Sequence, residues 1–397
     1  MVEYISGKRE VISWVSEAGT YGTCPATGMI PLRNGARLSL TGSKQEFEPI
    51  QSVGVDDIGV DYEAGVQDIQ LNLRYVPQDW RLFVMAYGKA DNVNDTTHYS
   101  HSFNYKTAKD LESFSVQRVK NASTDIVDTF RGCKINGFNI SWNTAGGGTG
   151  KFVECSADIL AKDWVESVSE STAETSPNVL AGLQSRQVVV TIDGTAYTAC
   201  LSGNISFNNK LSDGWYADAS ATNTRGETEP QERGITGTLV LNYTNDDIFD
   251  LWKAGTDVGT QQTTGTATAG SSTTLTDSGS GWSTNAYAGM MVRITGGAGK
   301  GQVRMILSNT SEVLTVSRAF STTPTTTSTF EIVTATSVEF RRTATTDTCK
   351  IFFDDFRMTS VPDDTNLDGF NVVTINFVAK DVEVEVTDAR TDYYSTA

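Results

Sequence analysis

Four stretches carry residue types at spacings that could do chemistry. The only histidines, His98 and His101, lie in THYSH with Asp91 and Asp95 upstream. Two imidazoles can share a zinc ion, but such a site needs further converging Cys, Asp or Glu ligands, and the sequence offers only the two aspartates. Asp354 and Asp355 in KIFFDDF are acids of the kind that hydrolyse glycosides. Adjacent strand residues point to opposite faces, so a bulge or strand end accounts for them better than an acid pair. DDTNLDG spaces Asp364, Asn366, Asp368 and Gly369 like half a calcium loop, yet Ile375 stands where the bidentate glutamate belongs. A hairpin turn explains that stretch equally well. GGAGKGQ, Gly296 to Gln302, has phosphate-loop glycines and a lysine but lacks a glycine at Ile294 and a Ser or Thr after Lys300, and a strand follows it. No G-x-S-x-G elbow occurs. These readings disfavour an enzyme and imply no metal and no cofactor.

The elements that would have to hold any site occur twice. Gly234 to Gly255, GITGTLVLNYTNDDIFDLWKAG, reads as an alternating strand, a polar turn with Asn245 or Asp246 as N-cap, and a short helix with Ile248, Phe249, Leu251 and Trp252 at its apolar positions. Gly65 to Gly88, GVQDIQLNLRYVPQDWRLFVMAYG, has the same layout. Aligned on Leu-x-Leu-x-Tyr, Leu71, Leu73, Tyr75, Asp79 and Phe83 fall opposite Leu239, Leu241, Tyr243, Asp247 and Leu251. Further on, SFSVQR (Ser113 to Arg118) matches TSVEFR (Thr336 to Arg341), and CKINGFNISW from Cys133 matches CKIFFDDFRM from Cys349. FVECSADILAKD (Phe152 to Asp163) matches FNVVTINFVAKD (Phe370 to Asp381) without a gap.

Matches in one order predict a duplicated domain. The expected division is an N-terminal arm at 1–24, a first domain at 25–164, a polar linker at 165–178, and a second domain at 179–262 and 334–397. That second domain is interrupted by a Thr- and Ser-rich all-β insert at 263–333, with Trp282, Tyr287 and Phe320 as core anchors. A folded module in a surface loop is a well-tolerated insertion.

Composition narrows the class. Among 397 residues the hydrophobic fraction is 38%, and Thr, Ser and Gly are abundant, which favours short strands and turns over long helices. A net charge of −17 argues against general nucleic-acid binding. No apolar run spans a bilayer and the N-terminus lacks a signal-type apolar core, so neither export nor a membrane partner is expected. Five cysteines form no CxxC pair; Cys133, Cys155 and Cys349 lie in apolar alternating stretches and read as free buried thiols of a cytoplasmically made protein. Two long polar loops, Thr41 to Gly65 and Ser202 to Gly234, have the length of loops that reach a partner.

Against that background ISWVSEAGTYGTCPATG, with Trp14, Glu17, Tyr21, Gly22, Thr23 and Pro25, resembles the opening of major tail tube proteins of tailed phages. The helix ending VMAYG and the closing strand pair resemble that family too. The insert is similar to a small β-module of phage structural proteins, in Trp282 to Gly289 and in GAGKGQVRMI. The resemblance implies a mainly β chain of two tandem tail-tube-type sandwiches, each with a short helix. It further implies three-chain, pseudo-hexameric rings stacked into a virion tail tube, with viral DNA passing through unbound. The implied partners are further copies of the chain, the tape measure, the tail terminator and tail-tip or baseplate proteins. Within that frame Asp381, Glu383 and Glu385, which share a strand face, are lumen candidates. Gln45, Glu46, Glu48, Asp56, Asp57, Glu227, Glu229 and Glu232 are candidates for reaching the next ring. Trp14, Tyr21, Trp80 and Trp252 are candidates for subunit contact. A carbohydrate-binding or adhesive β-protein is the competing expectation, and it would ordinarily carry an export signal.

Overall fold

Alternation of apolar and polar side chains dominates the chain, and the backbone is accordingly mainly β; its α-helices, among the described residues, are Arg81–Tyr87 and Asp247–Ala254. The computed structural model describes residues 10–17, 20–32, 35–42, 47–51, 60–64, 68–94, 99–104, 111–120, 126–144, 152–167, 169–173, 181–197, 200–214, 224–242, 247–254, 259–343, 347–364 and 371–388.

One antiparallel layer runs through both halves. Its spatial order is Arg37–Leu40, Ile69–Tyr75, Glu154–Ala161, residues 134–143, Cys200–Asn208, Gly234–Asn242, Val372–Ala379 and Arg357–Ser360. Each half adds an outer sheet. In the first half it comprises Thr27–Leu32, Glu10–Ser16, Phe114–Lys120, residues 126–131 and Asp163–Ser167. In the second it comprises Thr195–Tyr197, Val188–Ile192, Thr336–Thr343, Asp347–Asp354 and Asp381–Asp388. The hairpin Lys89–Asn94 with Tyr99–Asn104, which follows the first helix, extends this second outer sheet along Asp381–Asp388. Layer and outer sheets enclose one continuous apolar core. The 18-residue strand Ile126–Asn143 belongs to both sheets of the first half, crossing between them where its register shifts.

The two halves therefore share one pairing order, and the ladders fix which residues correspond. Phe130 lies opposite Trp164 and Val116, as Phe353 lies opposite Val382 and Thr336. With Phe152 to Asp163 set on Phe370 to Asp381, Tyr75 opposite Cys155 corresponds to Leu241 opposite Val373. Leu73 thus matches Leu239, and Phe83 matches Phe249, two positions from the alignment on Leu-x-Leu-x-Tyr. Strand side chains repeat every second residue, so a slip of two keeps every apolar residue inward and the sequence cannot detect it. By the same ladders the counterpart of Cys349 is Ile126, not Cys133, and Val338 and Phe340 match Arg118 and Lys120.

Residues 10–16, within the N-terminal arm, form a strand paired on both sides. The linker is also ordered in part, with Asp163–Ser167 a strand and Thr172–Ala173 pairing Thr27 and Met29.

The helices differ in cover. Every residue of Arg81–Tyr87 is buried. Phe83 stacks on Phe138 of the continuous layer at 5.1 Å between ring centroids, whereas Trp80 meets Phe340 of the second outer sheet at 5.2 Å. Its last carbonyls are capped from the second half, Ala86 by Asn209 Nδ2 (2.8 Å) and Tyr87 by Arg233 (3.0 Å). In Asp247–Ala254 only Ile248 is buried, with Phe249 and Leu251 partly packed on the core.

The insert has its own seven-stranded sheet and its own core, including Leu275, Val292, Ile306 and Phe330, with Trp282 and Tyr287 packed against it. GGAGKGQ is the turn between Met291–Gly296 and Val303–Asn309. The module's neck is narrow: Thr334 N donates to Thr260 O at 3.0 Å, and Thr260 donates its N–H and hydroxyl to Asp193. Met291, Met305 and Val333 pack on Phe352, on the side of the second outer sheet away from the core. Removing residues 261–333 and joining Thr260 to Thr334 should leave the body folded but uncover Phe352, at a cost of about 2 kcal/mol. Soluble yield should fall and should recover when Phe352→Thr is added, read by gel filtration and thermal melting.

Candidate functional site

Along the continuous layer one face is core and the other is open. In Ile69–Tyr75 the odd positions are buried, leaving Gln70, Asn72 and Arg74 on the open side. The same side carries Asn139 and Ser141, Ser156 and Asp158, Asn204 and Ser206, Thr236 and Thr238, and Thr374 and Asn376. These short polar side chains bond across the strands. Asn72 Nδ2 donates to Asp158 at 2.6 Å, Thr238 Oγ1 to Asn376 at 2.9 Å, and Asn376 Nδ2 to Ser360 at 2.8 Å. Charge is sparse and mixed: the arginines Arg37, Arg74 and Arg357 share the face with Glu154 and Asp158. Arrays of amide and hydroxyl groups with little net charge make this face a polar wall.

Both edges of this layer are single strands. Arg37–Leu40 pairs only with Ile69–Tyr75, and Arg357–Ser360 only with Val372–Ala379, among the described residues. A further element, the strands Phe47–Gln51 and Val60–Ala64, pairs with no other described strand.

The N-terminal motif has a structural task. Glu17, almost fully buried, accepts four hydrogen bonds: from Gly22 N, Ser113 Oγ, Ser115 Oγ and Gly132 N, each at 2.7 Å. Gly22 and Gly132 hold positive φ (76° and 61°), and a Cβ on either would run into Lys162. Tyr21 lies beneath the Lys134 and Lys162 ammonium groups and donates its hydroxyl to Gly226 O at 2.9 Å. Burial pushes its phenol pKa well up. Buried Lys134 bonds Glu227 (2.8 Å) and Thr228 O (2.9 Å), and Arg225 pairs with Asp68. The motif thereby clamps the second half's 224–228 segment onto the first half.

These positions correct several expectations. Asp381, Glu383 and Glu385 lie on the second outer sheet, not on the continuous layer. Glu383 is 3% exposed and accepts from Met305 N (2.7 Å) and Ser317 Oγ (2.6 Å), so it latches the insert. Asp381 accepts from buried Tyr87 at 2.9 Å. Trp14 and Trp80, at 1% and 2% exposure, are core residues of their own chain. Tyr21 serves the internal clamp, and only Trp252, at 41%, remains open. Glu227 and Glu232 are held by Lys134 and Lys210 of the same chain, and Glu229 is exposed. Gln45, Glu46, Asp56, Asp57 and His98 lie outside the described residues, as does the end of DDTNLDG; Glu48 lies on the separate hairpin. The open-face ladder was missed by sequence reasoning, although its signal, polar residues at alternate strand positions, was present.

A continuous sheet with a polar face and, among the described residues, open edges and no metal-binding cluster has the geometry of a building block. The family of phage tail tube proteins matches the chain over residues 7–302. The chain belongs to that family. No curated protein matches it. A tail tube protein is a structural virion component, and the buried Glu17 hub is part of how this one keeps its shape. Glu17→Ala would strand two backbone N–H groups and two hydroxyls, and should lower stability by about 3 kcal/mol or more in denaturant titration.

Proposed function

We propose that this tail tube protein polymerises as stacked three-chain rings, and that viral DNA passes through their channel. The observation that carries this reading is the continuous layer: two runs of four strands in one order, joined by the ladder between residues 134–143 and Cys200–Asn208. Arg357–Ser360 has in the second run the place that 134–143 has in the first, and Arg37–Leu40 has in the first the place of Cys200–Asn208. A neighbour's Arg37–Leu40 therefore fits against Arg357–Ser360 as the chain's own strands fit each other. With six halves per ring, as the family resemblance implies, three chains close the layer into a barrel without edges.

The shared pairing order supports a duplicated domain, with the first copy starting at Glu10–Ser16 instead of after it. Facing the channel, an amide and hydroxyl wall offers DNA no cation-rich surface, which suits passage without retention. The segment that carries the strands Phe47–Gln51 and Val60–Ala64 touches the next ring. Ring ends and channel would meet the tape measure, the tail terminator and the tail-tip or baseplate proteins. Buried free thiols support assembly from subunits made in a host cytoplasm.

Negative-stain images of the purified chain should show stacked rings with a central channel; dispersed monomers at every concentration would contradict the reading. Thr359 sits at a register shift on the edge strand, where proline disturbs the subunit's own ladder little. Thr359→Pro should give a folded monomer with near-normal melting and no rings. Deleting Gln45 to Asp57 should leave soluble protein that does not elongate into tubes.

A further inference from the structure

The two helices occupy corresponding places, yet their outward stripes differ in chemistry. On the first helix Trp80, Val84 and Tyr87 recur at helical spacing, and all three are buried. Trp80 meets Phe340, and the Tyr87 hydroxyl bonds Asp381 (2.9 Å) and Val382 O, so this stripe faces the second outer sheet. The sheet's answering face is apolar, with Val190, Val338, Phe340, Ile351 and Val384 buried.

On the second helix the counterparts of Val84 and Tyr87 are Asp250 and Lys253, with side chains 73% and 66% exposed. Phe249 and Leu251, the counterparts of Phe83 and Met85, still pack on the core, so only the outward stripe has changed. The first outer sheet has changed in the same sense. In place of Val338, Phe340, Ile351 and Val384 stand Arg118, Lys120, Asp128 and Glu166. Arg118 and Lys120 both hold buried Asp128, at 2.7 and 2.8 Å. The residue matching Asp381 is Asp163. A covered apolar joint inside the chain thus has a charged counterpart divided between the exposed stripe of the second helix and the first outer sheet, where Arg118 and Lys120 hold Asp128 and Arg131 holds Asp163.

We propose that the helix Asp247–Ala254 docks beneath the first outer sheet of a second copy of this chain, through a joint that repeats the internal one with ion pairs in place of apolar contacts. Lys253 then approaches the neighbour's Asp163, as the Tyr87 hydroxyl approaches Asp381. Asp250 approaches Arg118 and Lys120, as Val84 lies under the second outer sheet. Exposed Ile126, at the end of the same sheet face, is covered in the process. This inference rests on the ring reading above and adds to it the contact that links one chain to the next. Charged faces keep free subunits soluble and set the register on docking. They also make assembly depend on ionic strength, which the apolar joint inside the chain does not.

The test uses the full chain under conditions in which the unmodified protein forms rings. Lys253→Cys combined with Asp163→Cys should, on mild oxidation of assembled protein, give covalently linked dimers and trimers on a non-reducing gel. Either single substitution should give none. Separately, Asp250→Lys with Lys253→Glu reverses two exposed charges; melting should stay unchanged while the concentration needed for assembly rises on the order of tenfold. Rings that form without interchain crosslinks, at an unchanged threshold after charge reversal, would overturn the helix docking and leave the ring reading intact. Absence of rings from the unmodified chain would overturn both.

Discussion

A sheet that crosses from one half of a chain to the other must end somewhere, and the ends of the continuous layer are the constraint on which this structure turns. Among the described residues, Arg37–Leu40 and Arg357–Ser360 have ladder partners on one side only. Unpaired strand edges invite uncontrolled association, and proteins that keep them guard them or use them. Here the edges are short, each with an arginine at its start, and they lie at opposite ends of a layer whose middle repeats the same joint in covalent form.

The interior shows how much of the protein is devoted to holding the halves in register. The first helix is enclosed by both, and its terminal carbonyls are capped by Asn209 and Arg233 from the second. The hairpin following it is lent to the second outer sheet. In return the 224–228 segment of the second half is pinned over the first by Tyr21, Lys134 and Asp68. Exchanges in both directions make the two halves one mechanical body, although each retains the pairing order of a complete sandwich. The carboxylate of Asp128 illustrates the electrostatic side of this packing: burial works against its charge, but Lys120 and Arg118 donate to it and hold it below the usual carboxylate range.

Much of the fold was legible in the residues themselves. Strand alternation, the paired strand and helix, the position of the insert and the gap-free match ending in AKD all follow from local pattern. Correspondence within Ile69–Tyr75 did not, because a two-residue slip conserves the alternation that carries the signal. The shared CKI letters of Cys133 and Cys349 misled for a related reason: each cysteine is a small buried residue on a strand, and such positions are chemically interchangeable. Trp14 and Trp80 were read as contact residues because an aromatic is as suited to an interface as to a core, and only long-range neighbours decide. For Asp381, Glu383 and Glu385 the shared face was foreseeable, but what covers it was not, since the module that buries Glu383 comes from a distant segment. The polar open face was visible in outline as alternating Asn, Ser and Thr, without a way to know that eight strands would align it.

The strand Ile126–Asn143 deserves a mechanical reading. Its first part is hydrogen-bonded into the outer sheet and its second into the continuous layer. Sheets that merely stack can slide, because apolar contacts resist separation far better than lateral displacement. A single covalent chain shared by both layers converts any such sliding into stretching of backbone and rupture of ladder bonds. Resistance to shear is thus built in beside a ladder that joins the first half to the second, and a wall made of such units would bend by tilting whole subunits before its layers slipped.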